Sequence, residues 1–174
     1  MVSRPPRPAT RLLIGAIAGF AATLPMTAAM RALHRRLPQD ERYPAPPREL
    51  IDSASDAVGA DLPDETARDL TLAAHFAYGA ATGALIGAIL PRPGPVSGAA
   101  AGVAVWAGSY MGWIPAVRLL EPATRHPARR NGMMIAAHLV WGAATALAIR
   151  ELGADRGTLV AEGADRDVPK QDGP

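Results

Sequence analysis

The sequence predicts an all-α fold: a four-helix transmembrane bundle made of two repeated helix hairpins, with a short interfacial helix in the first long loop. Three observations lead there. First, four stretches carry no charged side chain: Leu12–Met30, Leu70–Pro91, Pro93–Val117 and Asn131–Ile149. Each holds at least 19 residues, about what a helix needs to cross a bilayer core of roughly 30 Å at 1.5 Å per residue. Second, all 18 basic and 16 acidic residues lie between or beyond these stretches. A soluble helix would keep one polar face per element, and these segments have none. Third, a ten-residue pattern recurs. Residues 73–82 read Ala-Ala-His-Phe-Ala-Tyr-Gly-Ala-Ala-Thr, and residues 136–145 read Ala-Ala-His-Leu-Val-Trp-Gly-Ala-Ala-Thr. Alanine and glycine matches mean little in this chain, but an aligned His, aromatic and Thr do, because the protein has only 4 His.

Taken in order, residues 1–9 form a Pro/Arg-rich leader without predicted structure. Span 1 covers about residues 10–33. Arg4, Arg7 and Arg11 ahead of an apolar run resemble a signal peptide, but no small-x-small cleavage site precedes the polar sequence, so the segment reads as a retained span. Pro25 inside it removes a backbone hydrogen bond and predicts a kink. A polar loop covers residues 34–66. Tyr43-Pro44-Ala45-Pro46-Pro47 should be extended, because residues before Pro avoid helical angles. Pro47 can then open a helix over about 47–58 that Gly59 ends, with Leu50, Ile51, Ala54 and Val58 on one face. Asp61 or Asp64 could cap the next helix, with Pro63 near its start.

Span 2 covers about residues 67–90. Pro91-Arg92-Pro93-Gly94-Pro95 is a rigid turn, which makes spans 2 and 3 antiparallel neighbours. Span 3 covers about 96–114, with Trp106, Tyr110 and Trp113 placed as an aromatic belt. Leu119 and Leu120 are expected to ride the interface. Residues 121–130 form a basic loop, span 4 covers about 131–149, and the tail 151–174 is polar. Basic residues near the span ends favour the two long loops as cytoplasmic by a small margin.

Small residues at four-residue spacing let helices approach closely in lipid. Gly15 and Gly19 form such a pair on span 1, and Gly98 and Gly102 echo them on span 3. Gly79, Gly83 and Gly87 continue the face that carries His75, and Gly142 follows His138. Those glycines are the expected helix-packing residues. Because Gly79, Gly83 and Gly87 exceed what one neighbour requires, they also point to assembly into a homo-oligomer.

Ionisable residues inside spans mark candidate functional sites. One reading has His75 and His138 neutral, each bonded to a neighbouring carbonyl or hydroxyl, with Thr82 and Thr145 within reach. In another they share a ligand across the bundle, haem or a transition metal, with Gly79 and Gly142 making room for a flat macrocycle. In a third they belong to a proton relay or small transporter with a site between the repeats. Arg48 and Glu49 could order the loop or bind an anion, with a solvated loop as the plainer expectation. His34 with Arg35 and Arg36, and His126 with Arg129 and Arg130, read as headgroup contacts.

Composition excludes other classes. With 0 Cys there is no thiolate site and no Cys nucleophile. A net charge of +2 and no Lys/Arg stripe interleaved with aromatics give no nucleic-acid signature. No phosphate-binding Gly loop or catalytic Ser motif appears, so no enzymatic activity and no resident cofactor are expected. The Arg-over-Lys, Ala-rich bias fits a GC-rich bacterial genome. Tyr43-Pro44-Ala45-Pro46-Pro47-Arg48, a His-bearing Gly-rich span, Trp106, Ile114-Pro115 and His138-x-x-Trp141-Gly142 together resemble the small bacterial inner-membrane proteins of the YagU type. The likeness covers roughly residues 10–150. It implies a multi-pass protein of the bacterial cytoplasmic membrane whose partner is the lipid bilayer, and it carries no catalytic residue onto this chain.

Overall fold

The computed structural model describes residues 8–39, 42, 46–90 and 92–154. The expectations for residues 1–7, Tyr43–Ala45, Pro91 and residues 155–174 lie outside these. The described residues are helical, with no strand among them. Helix α1 is Pro8–His34, α2 is Pro46–Val58, α3 is Asp64–Ile89, α4 is Pro95–Gly108, α5 is Ile114–Ala116 and α6 is Ala128–Ala154. A π-helical turn, Ser109–Trp113, joins α4 to α5, and a 3₁₀ turn, Ala123–Arg125, precedes α6.

Three helices are long and apolar enough to cross a membrane: α1, α3 and α6, of 27, 26 and 27 residues. They overrun the charge-free stretches because Arg, Glu and Asp are tolerated in helical turns and only the bilayer excludes them. The third expected span is different. It is α4, the π turn and α5 in one unbroken run. Pro115 donates no N–H, and its ring crowds the carbonyl of residue 111, so the preceding turn widens to avoid the clash.

Helix ends follow local chemistry. Pro63, not an Asp, takes the N-cap of α3, and no side chain caps it. Asp64 and Glu65 in that first turn favour the positive end of the helix. Gly59 ends α2 at φ +67°, with Ala60 N–H donating to Ser55 O at 2.9 Å. Arg118 does the same after α5 at φ 60°, with Leu119 N–H donating to Ile114 O at 3.2 Å. Arg11 of α1 reaches the last turn of α3, where its guanidinium donates to Gly87 O and Ala88 O. That contact satisfies carbonyls a helix end would otherwise leave bare.

α1 packs against α3 and α6, and α4 packs against α6. Glycine explains both close pairs. A Cβ added at Gly19 would meet Gly79 O and lie 2.7 Å from Gly83 Cα. One added at Gly98 would meet Ala146 Cβ and Gly142 O, and one at Gly102 would meet His138 O. Gly87 rests on Arg11 O and on Gly15 Cα, 2.9 Å from where its Cβ would be. The whole Gly79, Gly83 and Gly87 face is therefore covered by α1. The surplus that pointed to assembly through this face does not exist. Gly19 packs on Gly79 and Gly98 on Gly142, so the packing makes Gly19, not Gly15, the counterpart of Gly98. α3 and α4 do not pack along their lengths, contrary to the expected neighbour packing of spans 2 and 3, because the five-residue turn joins their ends without drawing their faces together.

Large apolar residues point outward: Leu13, Phe20 and Leu24 on α1, Leu85 and Ile89 on α3, and Leu147 on α6 are all exposed. Small and polar residues face inward. Trp106 and Tyr110 are buried and stacked, 6.5 Å between centroids at 22°. They form no interfacial belt. They lie at four-residue spacing from Gly98 and Gly102, so the stripe that packs on α6 carries them inside. Only Trp113 of that trio is exposed.

Candidate binding cavity

The gap between α3 and α4 opens a central cavity of about 240 Å³. α1, α2, α3, α6 and the α4–π–α5 run all contribute to its wall. Its lining is mostly apolar, with Met26, Val105, Met134 and Ile114 prominent, and it carries both His75 and His138. The two repeated decapeptides therefore present their histidines to one space.

The tautomer of His138 follows from its partner. Nδ1 lies 2.8 Å from Met134 O, four residues back on its own helix. A carbonyl only accepts, so Nδ1 carries a proton and donates in this bond. His75 Nε2 is buried and has no hydrogen-bond partner among the described residues. Neither histidine uses the hydroxyl anticipated for it. Thr82 Oγ1 donates to Tyr78 O at 2.7 Å and Thr145 Oγ1 to Trp141 O at 2.8 Å, each within its own helix. A threonine inside a helix meets its own i−4 carbonyl before it meets another helix.

The aromatic of each decapeptide bonds a different element from the one on which its own helix's glycines pack. Trp141 Nε1 donates to Gly19 O on α1 at 3.1 Å. Tyr78 and Ser109 hydroxyls lie 2.7 Å apart. Ser109 Oγ donates to Val105 O at 2.7 Å, which leaves Tyr78 as the donor in that pair. Trp113 Nε1 completes the chain, 3.4 Å from Tyr78 Oη. The π turn aims Ser109, Tyr110 and Trp113 at the cavity, and no periodicity in the sequence announces it.

α2 closes one side. Pro47, Leu50 and Ile51 line the cavity, while Val58 is exposed. The apolar face assigned to the membrane interface is turned inward. Arg48 and Glu49 hold it there rather than forming a solvated loop. Arg48 bonds Asp52 at 2.7 Å and Asp64 at 2.9 Å. Those bonds, Asp52 first, raise the guanidinium above its usual pKa. Glu49 pairs with Arg130 of α6, whose side chain is 8% exposed. Arg130 is thus no headgroup contact. His126 lies 3.1 Å from Glu121 O, which places it within its own loop, and Leu119 and Leu120 pack on the core rather than riding the interface.

Beside the cavity lies a second hollow of about 690 Å³. Its lining includes Arg31, His34, Arg35 and Arg42, and it shares Met30, Pro47 and His75 with the cavity. His75 therefore stands between an apolar chamber and a basic mouth.

The described residues contain no group of three or more His, Cys, Asp or Glu able to hold a metal ion. The space that Gly79 and Gly142 would have left for a macrocycle is filled by Thr23 and Gly19, and by Gly98 and Gly102. Comparison with protein-family models, curated proteins and solved structures finds no match to this chain.

Proposed function

We propose that this chain is a four-span membrane protein, built from two copies of a helix hairpin, that binds a small ligand in the cavity between the copies. The observation that carries the reading is that His75 and His138, equivalent positions of the repeated decapeptide, line the same cavity. Tyr78 and Trp141, equivalent in the same way, each bond the opposite hairpin. Duplicated bundles place their sites at the seam of the repeats. Three helices of membrane-crossing length and an outer surface of Leu, Ile and Phe support insertion in a bilayer. The YagU-type resemblance supports the bacterial inner membrane. The cavity offers two imidazoles in an apolar wall, groups that can hydrogen-bond the polar part of a ligand.

A passage reading draws support from one feature, the junction of cavity and basic hollow at His75. Proteoliposomes that move protons or small anions, and stop doing so in His75→Phe, would favour it.

The absence of cysteine makes the test direct. Met134 and Ala137 are 4% and 0% exposed, and only Met134 lines the cavity. In isolated membranes, Met134→Cys should react with a small apolar maleimide and Ala137→Cys should not. Equal silence of both would remove the cavity as a binding site.

A further inference from the structure

Resting on that reading, we infer that the ligand is a single-chain amphiphile with an anionic head, its alkyl chain in the cavity and its head in the basic hollow. The two spaces share Met30, Pro47 and His75 and so lie side by side, which is the arrangement that one molecule spanning both requires. They differ in chemistry as the two ends of an amphiphile do. The inner cavity is walled by Met26, Val105 and Met134. The outer hollow is lined by Arg31 and Arg35.

Charge selects the head. Arg31 and Arg35 have no carboxylate partner among the described residues, whereas Arg48, Arg125 and Arg130 each have at least one. An anion bridging Arg31 and Arg35 gains charge-assisted hydrogen bonds, the stronger class. Size selects the tail. A volume of 240 Å³ falls below the roughly 300–1,000 Å³ of pockets for drug-sized molecules. It suits one alkyl chain rather than two paired chains. The hollow is lined by the last turn of α1, where headgroups would lie.

Trp141 lines the cavity and reports occupancy. The experiment uses the full chain carrying Trp106→Phe and Trp113→Phe, in nanodiscs of zwitterionic lipid, titrated with 12-bromododecanoic acid and with 12-bromododecanol. Bromine quenches at close approach and Trp141 is 2% exposed, so binding in the cavity gives a saturable component and partitioning into lipid does not. The expected result is saturable quenching by the acid that unbrominated dodecanoate reverses. The alcohol should bind about tenfold more weakly, equivalent to 1.4 kcal/mol. Arg31→Gln/Arg35→Gln should lose that tenfold preference, and Arg31→Lys/Arg35→Lys should keep most of it. Competition by dodecanoate alone marks a fatty-acid carboxylate, and competition by dodecyl phosphate as well marks any monoalkyl anion. Saturable quenching equal for acid and alcohol, and unmoved by Arg31→Gln/Arg35→Gln, overturns the anionic head while leaving the cavity as a binding site. No saturable quenching by either compound overturns both.

Discussion

Gly19→Ala adds a single methyl group where α1 crosses α3. That carbon would meet Gly79 O and stand 2.7 Å from Gly83 Cα. Both obstacles are backbone, so no rotamer change relieves them and the two helices must separate. Overpacking a close-fitting interior costs typically 1–3 kcal/mol, and separation also loosens the neighbouring Gly15–Gly83 and Gly79–Thr23 contacts. We expect a loss of about 2 kcal/mol or more. Gly132→Ala is the matched control. Gly132 also lies inside a helix, yet a Cβ there meets nothing within 4 Å. Alanine favours a helix interior over glycine by roughly 0.5–1 kcal/mol, so this variant should be neutral or slightly more stable. Dodecyl-sulfate titration in mild detergent micelles, read by helical circular dichroism and tryptophan fluorescence, measures both. A Gly19→Ala protein as stable as the wild type would refute the glycine-mediated packing of α1 on α3.

Further outcomes follow from the same contacts. Trp141→Phe removes the hydrogen bond to Gly19 O and should cost about 0.6 kcal/mol, the average for interhelical bonds in membranes, in the same unfolding assay. Glu49→Ala takes one partner from Arg130 in a largely buried site. Leaving a buried charge wholly unpaired costs about 3–5 kcal/mol, which sets the upper bound, and Glu49→Leu/Arg130→Met should recover much of the loss, as a double-mutant cycle would show. Arg118→Gly relieves a left-handed backbone position and should raise stability by about 1 kcal/mol, seen as a higher midpoint without a change in slope.

The helical architecture was legible because charge excludes residues from a bilayer regardless of neighbours, so uninterrupted apolar stretches stand out. The glycine stripes were legible for a similar reason: four-residue spacing fixes a helix face. Which partner covers a face is a matter of tertiary packing, and here the sequence was silent. It could not say that α1 takes all of Gly79, Gly83 and Gly87, nor that the apolar face of α2 turns inward with Glu49 on Arg130. Trp106 and Tyr110 carried a usable signal, since they continue the Gly98 and Gly102 stripe, but aromatic residues near a span end invite the interfacial reading first. The π turn rests on the clash created by Pro115, which a period of 3.6 conceals. The histidines were found as a pair by their repeat. That they share a chamber depends on α3 and α4 staying apart, and a tight turn between two helices suggests the opposite.

The central claim is that both histidines of the duplicated motif face one space. In the naturally cysteine-free chain, His75→Cys/His138→Cys treated with a short flexible bis-thiosulfonate measures it directly. We predict an intramolecular crosslink within the monomer, blocked by prior incubation with dodecanoate, while His75→Cys/Ala137→Cys gives none. Two cysteines that each react with a monofunctional reagent yet never join would contradict it.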